Sequence, residues 1–258
     1  MAELQPVQFQ APPVNPAAPN LYAVINWQQD GGDGPLRFLT GVDVEPFNYG
    51  AAAGVWGAAW CASEDDLAVD DVKNINDRPD FPDTYTAGTF FGYDECTPRD
   101  MSEVQARAAQ NQRVLEPSSV EDMVATRLLA DVPVLDRIAA VTVVAAVGVL
   151  EAAIAQTGIP GFIHAAPQWA APAAEANLIS RQGALLRTPL GNTWVFGGGY
   201  VDTLTDTLVA TSQPYGWRGP QNVHPALKME HNRYVTVAER SVLVAWEATI
   251  AAATIGAE

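Results

Sequence analysis

The feature that most restricts what this chain can fold into is a pair of short apolar runs set about a helical stretch. The first, Gly161-Phe162-Ile163-His164-Ala165-Ala166-Pro167-Gln168-Trp169, is a brief apolar strand interrupted at Pro167. The second, Thr188-Pro189-Leu190-Gly191-Asn192-Thr193-Trp194-Val195-Phe196, turns at Gly191-Asn192 and returns as another. Runs this short and this apolar fit strands covered on both faces. The segment therefore predicts a strand over Phe162–Ala165, a helix over residues 167–182 and a strand at residues 194–196. Trp169 and Trp194 are the expected core anchors of this unit.

Upstream, Thr97-Pro98-Arg99-Asp100 opens the strongest helical signal. Asp100 or Ser102 can cap it, Glu103 lies in its first turn, and Val104, Ala108, Val114 and Leu115 fall near one face. Pro117 with Ser118-Ser119 predicts a kink or restart. Glu121 and Asp122 then sit in a second amino-terminal turn, with Met123, Leu128 and Leu129 packing below. Residues 101–130 read as one long, interrupted helical element. The next helix, residues 141–156, is apolar almost all round, which predicts burial on several sides, and Gly158 and Pro160 end it. Near the end of the chain, residues 233–247 place Val242, Val244 and Trp246 on one face and Leu243 and Ala245 on the other. That is the pattern of a strand buried in a sheet or in a subunit contact.

The first 35 residues are of another kind. Pro12, Pro13, Pro16 and Pro19 fix φ and remove donors, and Asp30-Gly31-Gly32-Asp33-Gly34-Pro35 forms a turn. The composition fits an extended arm or a disordered tail, and Leu21-Tyr22-Ala23-Val24-Ile25-Asn26-Trp27 favours a strand that docks. Residues 36–97 alternate short apolar stretches (36–44, 54–61, 85–93) with Gly and acidic loops, which predicts a long β excursion. Its acidic centre, from Ser63-Glu64-Asp65-Asp66 to Asn76-Asp77, lacks calcium-loop spacing and reads as a solvated connection.

With 30 acidic against 14 basic residues, the net charge is −16, and the two lysines and twelve arginines are scattered. Such a surface repels anions at long range, so broad or sequence-specific nucleic-acid binding is not expected. The amino terminus lacks a signal-peptide pattern, and the most apolar segment, Ile138 to Leu150, is 13 residues long, too short to span a bilayer. Cys61 and Cys96 are expected to be two buried thiols.

No catalytic, cofactor-binding or metal-ligating residues are assigned. Gly197-Gly198-Gly199 lacks the context of a phosphate loop and predicts a tight turn or a close backbone approach. His164, His224 and His231 lack catalytic or zinc-like spacing, and His164 reads as a packed, hydrogen-bonded side chain. No G-x-S-x-G or H-E-x-x-H motif occurs.

The Gly161–Trp169 and Thr188–Phe196 runs resemble the axial domain of tailed-phage capsid proteins. In that family a strand of the form apolar, apolar, small, Pro, any residue, Trp enters a helix, and Leu-Gly, any two residues, apolar, apolar leads into the next strand. The order of proline-rich arm, β excursion, long helix, compact α/β unit and returning strand is also similar to the capsid fold that tailed phages share with encapsulins. Glu239-Arg240-Ser241-Val242-Leu243-Val244-Ala245-Trp246-Glu247 resembles the closing strand of actinobacterial-phage virion proteins. In motif detail the likeness covers Gly158 to Gly219.

The resemblance implies an α+β tailed-phage capsid fold. Its parts would be an amino-terminal arm (1–35), an extended β loop (36–97), a peripheral domain with the spine helix (98–132 and 223–258) and an axial domain (133–222). It implies a major capsid subunit that is not an enzyme, assembled in the host cytoplasm into the icosahedral head of a virion. Its partners would be copies of itself in hexamers and pentamers, with a portal and decoration proteins, and with neither membrane nor cofactor. An accessory virion protein of the same fold, or an encapsulin-type compartment, would share these motifs. The chain is short for a major capsid protein. No charged helical segment precedes the arm, so a scaffolding protein would be separate. Some relatives join Lys to Asn between subunits; Lys73, with Asn74 and Asn76 nearby, falls where such a lysine would lie, and reads as a solvent-exposed lysine of a non-crosslinked shell.

Overall fold

The computed structural model describes residues 10–17, 20–29, 36–50, 54, 56–57, 60–68, 73, 80 and 82–256. In chain order its strands and helices are β1 (Asn26–Gln28), β2 (Gly88–Cys96), α1 (Met101–Asp131), β3 (Ile138–Ala140), α2 (Val143–Thr157), β4 (Phe162–Ala165) and α3 (Ala170–Glu175). There follow β5 (Ser180–Gln182), β6 (Leu185–Arg187), β7 (Thr193–Phe196), β8 (Thr207–Thr211), β9 (Tyr215–Arg218), β10 (Asn222–Lys228), β11 (Arg233–Ala245) and β12 (Thr249–Ile255).

Helix α1 runs unbroken through Pro117. A proline inside a helix removes one backbone hydrogen bond and costs about 3 kcal/mol relative to alanine. The predicted restart does not occur because tertiary packing holds both halves. Buried positions fall at every fourth residue, Val104, Ala108, Gln112, Glu116, Val120, Val124 and Leu128, with Pro117, Glu121 and Ala125 beside them. The expected face is thereby corrected: Leu115 is exposed and Val114 half-buried, while Gln112 and Glu116 point inward. Arg137 closes the carboxyl end, donating to the carbonyls of Val132 and Leu129 at 2.9 and 3.2 Å.

Two sheets pack around this helix. In the first, β11 pairs antiparallel with β2 on one side and, on the other, with β10 along its first half and β9 along its second. Strand β1 adds to β9 in parallel, so the arm docks as expected. Only Asn26–Gln28 is strand, because Leu21–Ala23 is a 3-10 turn that turns Leu21 into the core. The second sheet has the order β3-β12-β8-β4-β7-β6-β5. Its central strands are covered twice. Ile163, Trp194, Phe196, Leu208 and Ala210 pack with α2, while Val195 and Val209 join the cluster built on α1 and β11.

Several expectations give way here. Strand β12 joins the second sheet and β9 the first, so neither sheet is built from one continuous stretch of chain. Residues 36–44 form a 3-10 turn, Arg37–Thr40, and a single bridge from Val42 to Tyr85; the described residues within 54–61 contain no strand. The helix expected over 167–182 is a 3-10 turn followed by six-residue α3. Asn177 ends it at φ 58, and Gly183 at φ 61 turns the chain into the β5–β6 hairpin. Helix α2 buries one face, from Val143 to Ile154, and leaves Val144 exposed.

Close backbone approach fixes how β2 crosses α1. A Cβ on Gly92 would lie 2.2 Å from the backbone nitrogen of Gln112 and 2.5 Å from the carbonyl oxygen of Ala108. Backbone atoms cannot yield as a flexible side chain can. Gly92→Ala should therefore lower the stability of the chain by about 3 kcal/mol or more. Gly148 on α2, with nothing within 4 Å of its notional Cβ, supplies the control, and Gly148→Ala should raise stability by about 0.5–1 kcal/mol. Urea unfolding midpoints of the two variants check this; equal midpoints would contradict the packing described.

Candidate assembly interface

Two segments carry little core of their own, the arm and the long loop after Val42, and each is fastened at its base by a buried carboxylate. On the spine helix, Glu121 accepts the N–H of Leu21 at 3.0 Å through one oxygen and the N–H of Gly199 at 3.0 Å through the other. The backbone N–H of Gly198 also bonds to it. Burial pushes the Glu121 carboxyl above its usual range, and these backbone donors pull it partly back. The triple glycine is indeed a close approach: a Cβ on Gly199 would sit 1.9 Å from the Ser118 carbonyl oxygen. One helix turn thus holds the arm and the second sheet's loop together.

One turn earlier, Glu116 is wholly buried. It pairs with Arg218 at 2.6 Å and Arg240 at 3.3 Å, and it accepts the Tyr22 hydroxyl at 3.0 Å and the Gln112 amide. The Arg218 guanidinium also stacks over the rings of Tyr22 and Trp27. Farther out, the arm lies along α1, with Gln110 donating to the Val14 carbonyl at 2.6 Å and Arg113 to Asn15.

The loop is held by a third carboxylate. Glu247 accepts the backbone N–H groups of Phe47, Asn48 and Tyr49, and the Asn48 side chain at 3.0 Å. Its burial raises the carboxyl pKa, but these donors outweigh that and hold it below the usual range. Beside it, Tyr85 donates to the Trp246 carbonyl at 2.9 Å, packs edge-on to the Trp246 ring and lies under Arg127, which also bonds the carbonyls of Asp83 and Thr84.

Beyond these bases, large apolar side chains face outward. Phe47 is 91% exposed, Trp60 96% and Leu135 96%. Val134, Ile138, Val141 and Val144 are exposed as well, from the turn before edge strand β3 to the start of α2, and every residue of β10 is exposed, Val223 and Leu227 included. Patches of this kind mark contact surfaces.

The residues singled out from sequence fall in several places. His164 is buried with Nδ1 2.9 Å from the Tyr200 hydroxyl and Nε2 2.9 Å from the Thr211 hydroxyl, and burial lowers its pKa to about 3. His224 pairs with Glu239 at 3.3 Å on the surface, and His231 is exposed. Trp194 is buried and stacked on Phe196, whereas Trp169 is only half-buried, its indole N–H donating to Thr205 at 2.9 Å. Cys61 and Cys96 form no disulfide with each other, and neither is the buried thiol expected: Cys61 is exposed and Cys96 half-buried. Lys73 lies over the Trp56 ring; Asn74 and Asn76 lie outside the described residues, as do Asp70 and Asp71 of the acidic loop, whose Asp66 bonds Ser63. Among the described residues no group of His, Cys, Asp and Glu is placed to hold a metal, and no helix is long and apolar enough to cross a membrane.

The anchoring residues Glu116, Glu121, Arg218, Arg240 and Glu247 were not found from sequence. Their signal is present on α1, where Gln112 and Glu116 continue a four-residue apolar spacing that polar residues usually end.

No protein-family model matches the sequence, and no curated protein matches it. Solved structures do. One from Mycobacterium phage Bobi is 9% identical, with a TM-score of 0.55 over 99% of this chain and 96% of that one. The capsid of an empty GTA particle is 13% identical, with a TM-score of 0.53 over 98% of this chain and 96% of that one. The capsid of a native GTA particle is 10% identical, with a TM-score of 0.51 over 98% and 96%. The likeness extends over nearly the whole chain in each case, and this protein has the tailed-phage capsid fold.

Proposed function

We propose that this chain is the major capsid subunit of a phage-type virion, a structural protein without catalytic role that assembles with its own copies into a closed icosahedral shell around a genome. Its rings would be pentamers and hexamers, formed in the host cytoplasm, with a separate scaffold, a portal and decoration proteins as partners. The observation that carries the reading is a loop fixed at its base on Glu247 with Phe47 and Trp60 exposed on it, beside an arm held by Glu121 with Val14 exposed, which together present apolar area to a neighbour. Burying it is worth about 25 cal/mol per Å², and small contacts repeated around a closed lattice sum to a stable container. The division into arm, loop, peripheral and axial parts belongs to this proposal, with β12 moved to the axial sheet and β9 to the peripheral one.

Sedimentation of the purified chain tests the reading. Fast-sedimenting closed particles are expected, alone or with a scaffold. A monomer that persists at high concentration with scaffold supplied would overturn it.

The net charge of −16 sets the salt response. Repulsion between subunits is screened as the Debye length falls from about 30 Å at 0.01 M salt to about 8 Å at 0.15 M. Particle yield should rise over that range, and a steady fall would mean that ion pairs between subunits dominate.

Glu121→Gln keeps the shape of the side chain but turns an amide N–H group toward one of the backbone donors it now accepts. It should cost about 1–3 kcal/mol in urea unfolding and expose the arm to limited proteolysis ahead of the rest of the chain. An arm that resists cleavage as in the parent protein would show that the carboxylate does not hold it.

A further inference from the structure

The scattered arginines of the sequence are not all scattered in space. Arg113, Arg218 and Arg240 line one cavity of about 500 Å³ between the arm, α1 and the first sheet, and no Asp or Glu is among its lining residues. Two of these guanidinium groups share one carboxylate, Glu116, whose oxygens are already engaged by Tyr22 and Gln112 as well. Among the described residues one positive charge is therefore left over at the wall, and Arg113, whose partner is the neutral amide oxygen of Asn15, adds a second. The Nε of Arg240 has no hydrogen-bond partner among the described residues. A concentration of cationic donors in a chain of net charge −16 is a local reversal of its field, and an anion entering the cavity would meet more than one guanidinium group at once.

We propose that this cavity is a phosphate-binding site, taking the phosphate group either as the free ion or as part of a nucleic-acid backbone, without base recognition. The guanidinium fork suits a tetrahedral oxyanion, which accepts two parallel N–H groups from one arginine while a second and third close on its other oxygens. At physiological salt the long-range repulsion from the rest of the surface is screened beyond about 8 Å, while contacts at hydrogen-bond distance are not. Arm residues Pro16, Ala17 and Tyr22 form one wall, so an anion held there would tie the arm to α1 and β9. This inference does not rest on the shell reading, because binding is counted per chain whatever the assembly.

Titration calorimetry with inorganic phosphate, in chloride buffer of matched ionic strength, gives the test. One saturable site per chain is expected, weakened about tenfold by Arg113→Gln, as loss of one charge-assisted hydrogen bond predicts, and abolished by Arg218→Gln. Arg113 is exposed, so its variant keeps the test valid if the Arg218 variant fails to fold. A parallel titration with a short single-stranded oligonucleotide identifies the source. Arg113-dependent binding of the oligonucleotide in competition with phosphate points to a nucleic-acid backbone, and binding of phosphate alone points to the free ion. No saturable binding of either probe, or binding that Arg113→Gln leaves unchanged, overturns the proposal.

Discussion

The buried carboxylates on the spine helix are the constraint from which the rest of the arrangement follows. An ionised carboxylate removed from water must recover its hydrogen bonds inside the protein or shift toward its neutral form. Glu121 recovers them from backbone N–H groups that belong to two distant stretches of chain, Leu21 in the arm and Gly198 and Gly199 after β7. Glu116 does so one turn away through side chains of the arm, β9 and β11. Because each acceptor has specific donors, the arm cannot slide along the helix without stranding a charge. Apolar contacts alone would permit such sliding, since they reward area and not register.

The same helix is approached by backbone on two sides, at Gly92 from β2 and at Gly199 from the loop after β7. Such contacts leave no room for a side chain and no freedom to rotate, so the first sheet, the helix and the second sheet share one geometry. The covering of the central strands of the second sheet on both faces has the same origin. Their inner side chains meet α2, and their outer ones meet the cluster that α1 and β11 build. Strands β12 and β9 accordingly join sheets that their place in sequence does not indicate.

Strand, helix and strand order was legible where local chemistry decides it. Phe162–Ala165 emerged as a buried strand from its apolar run, α2 ended at Gly158 in the left-handed conformation as its glycine implied, and the arm docked through the residues that looked too apolar for a tail. Legibility failed where partners are distant. Leu115 looked like a core position by spacing, yet Glu116 is the residue that turns inward, because Arg218 and Arg240, about a hundred positions later, make its burial tolerable. The loop base could not be read either, since Glu247 meets Phe47, Asn48 and Tyr49 across about two hundred residues. In α3 a left-handed Asn177 cut short a helix whose composition would have continued it.

Anchoring the base of an extension and leaving its outer part apolar has an energetic logic that bears on the proposed shell. Ordering a backbone residue costs about 1–2 kcal/mol of conformational entropy, and a loop free at both ends would spend that cost at the moment of contact. Fixing Phe47–Tyr49 on Glu247 and Leu21 on Glu121 places part of that cost in folding, so the contact made later has less disorder to overcome. The fixed base also sets the direction in which the segment leaves the subunit, and a closed particle requires one repeated direction, since a heterologous contact that varied would give open chains of subunits. In the proposed shell the net negative charge would work against association at every such contact, so that many weak contacts would have to form together.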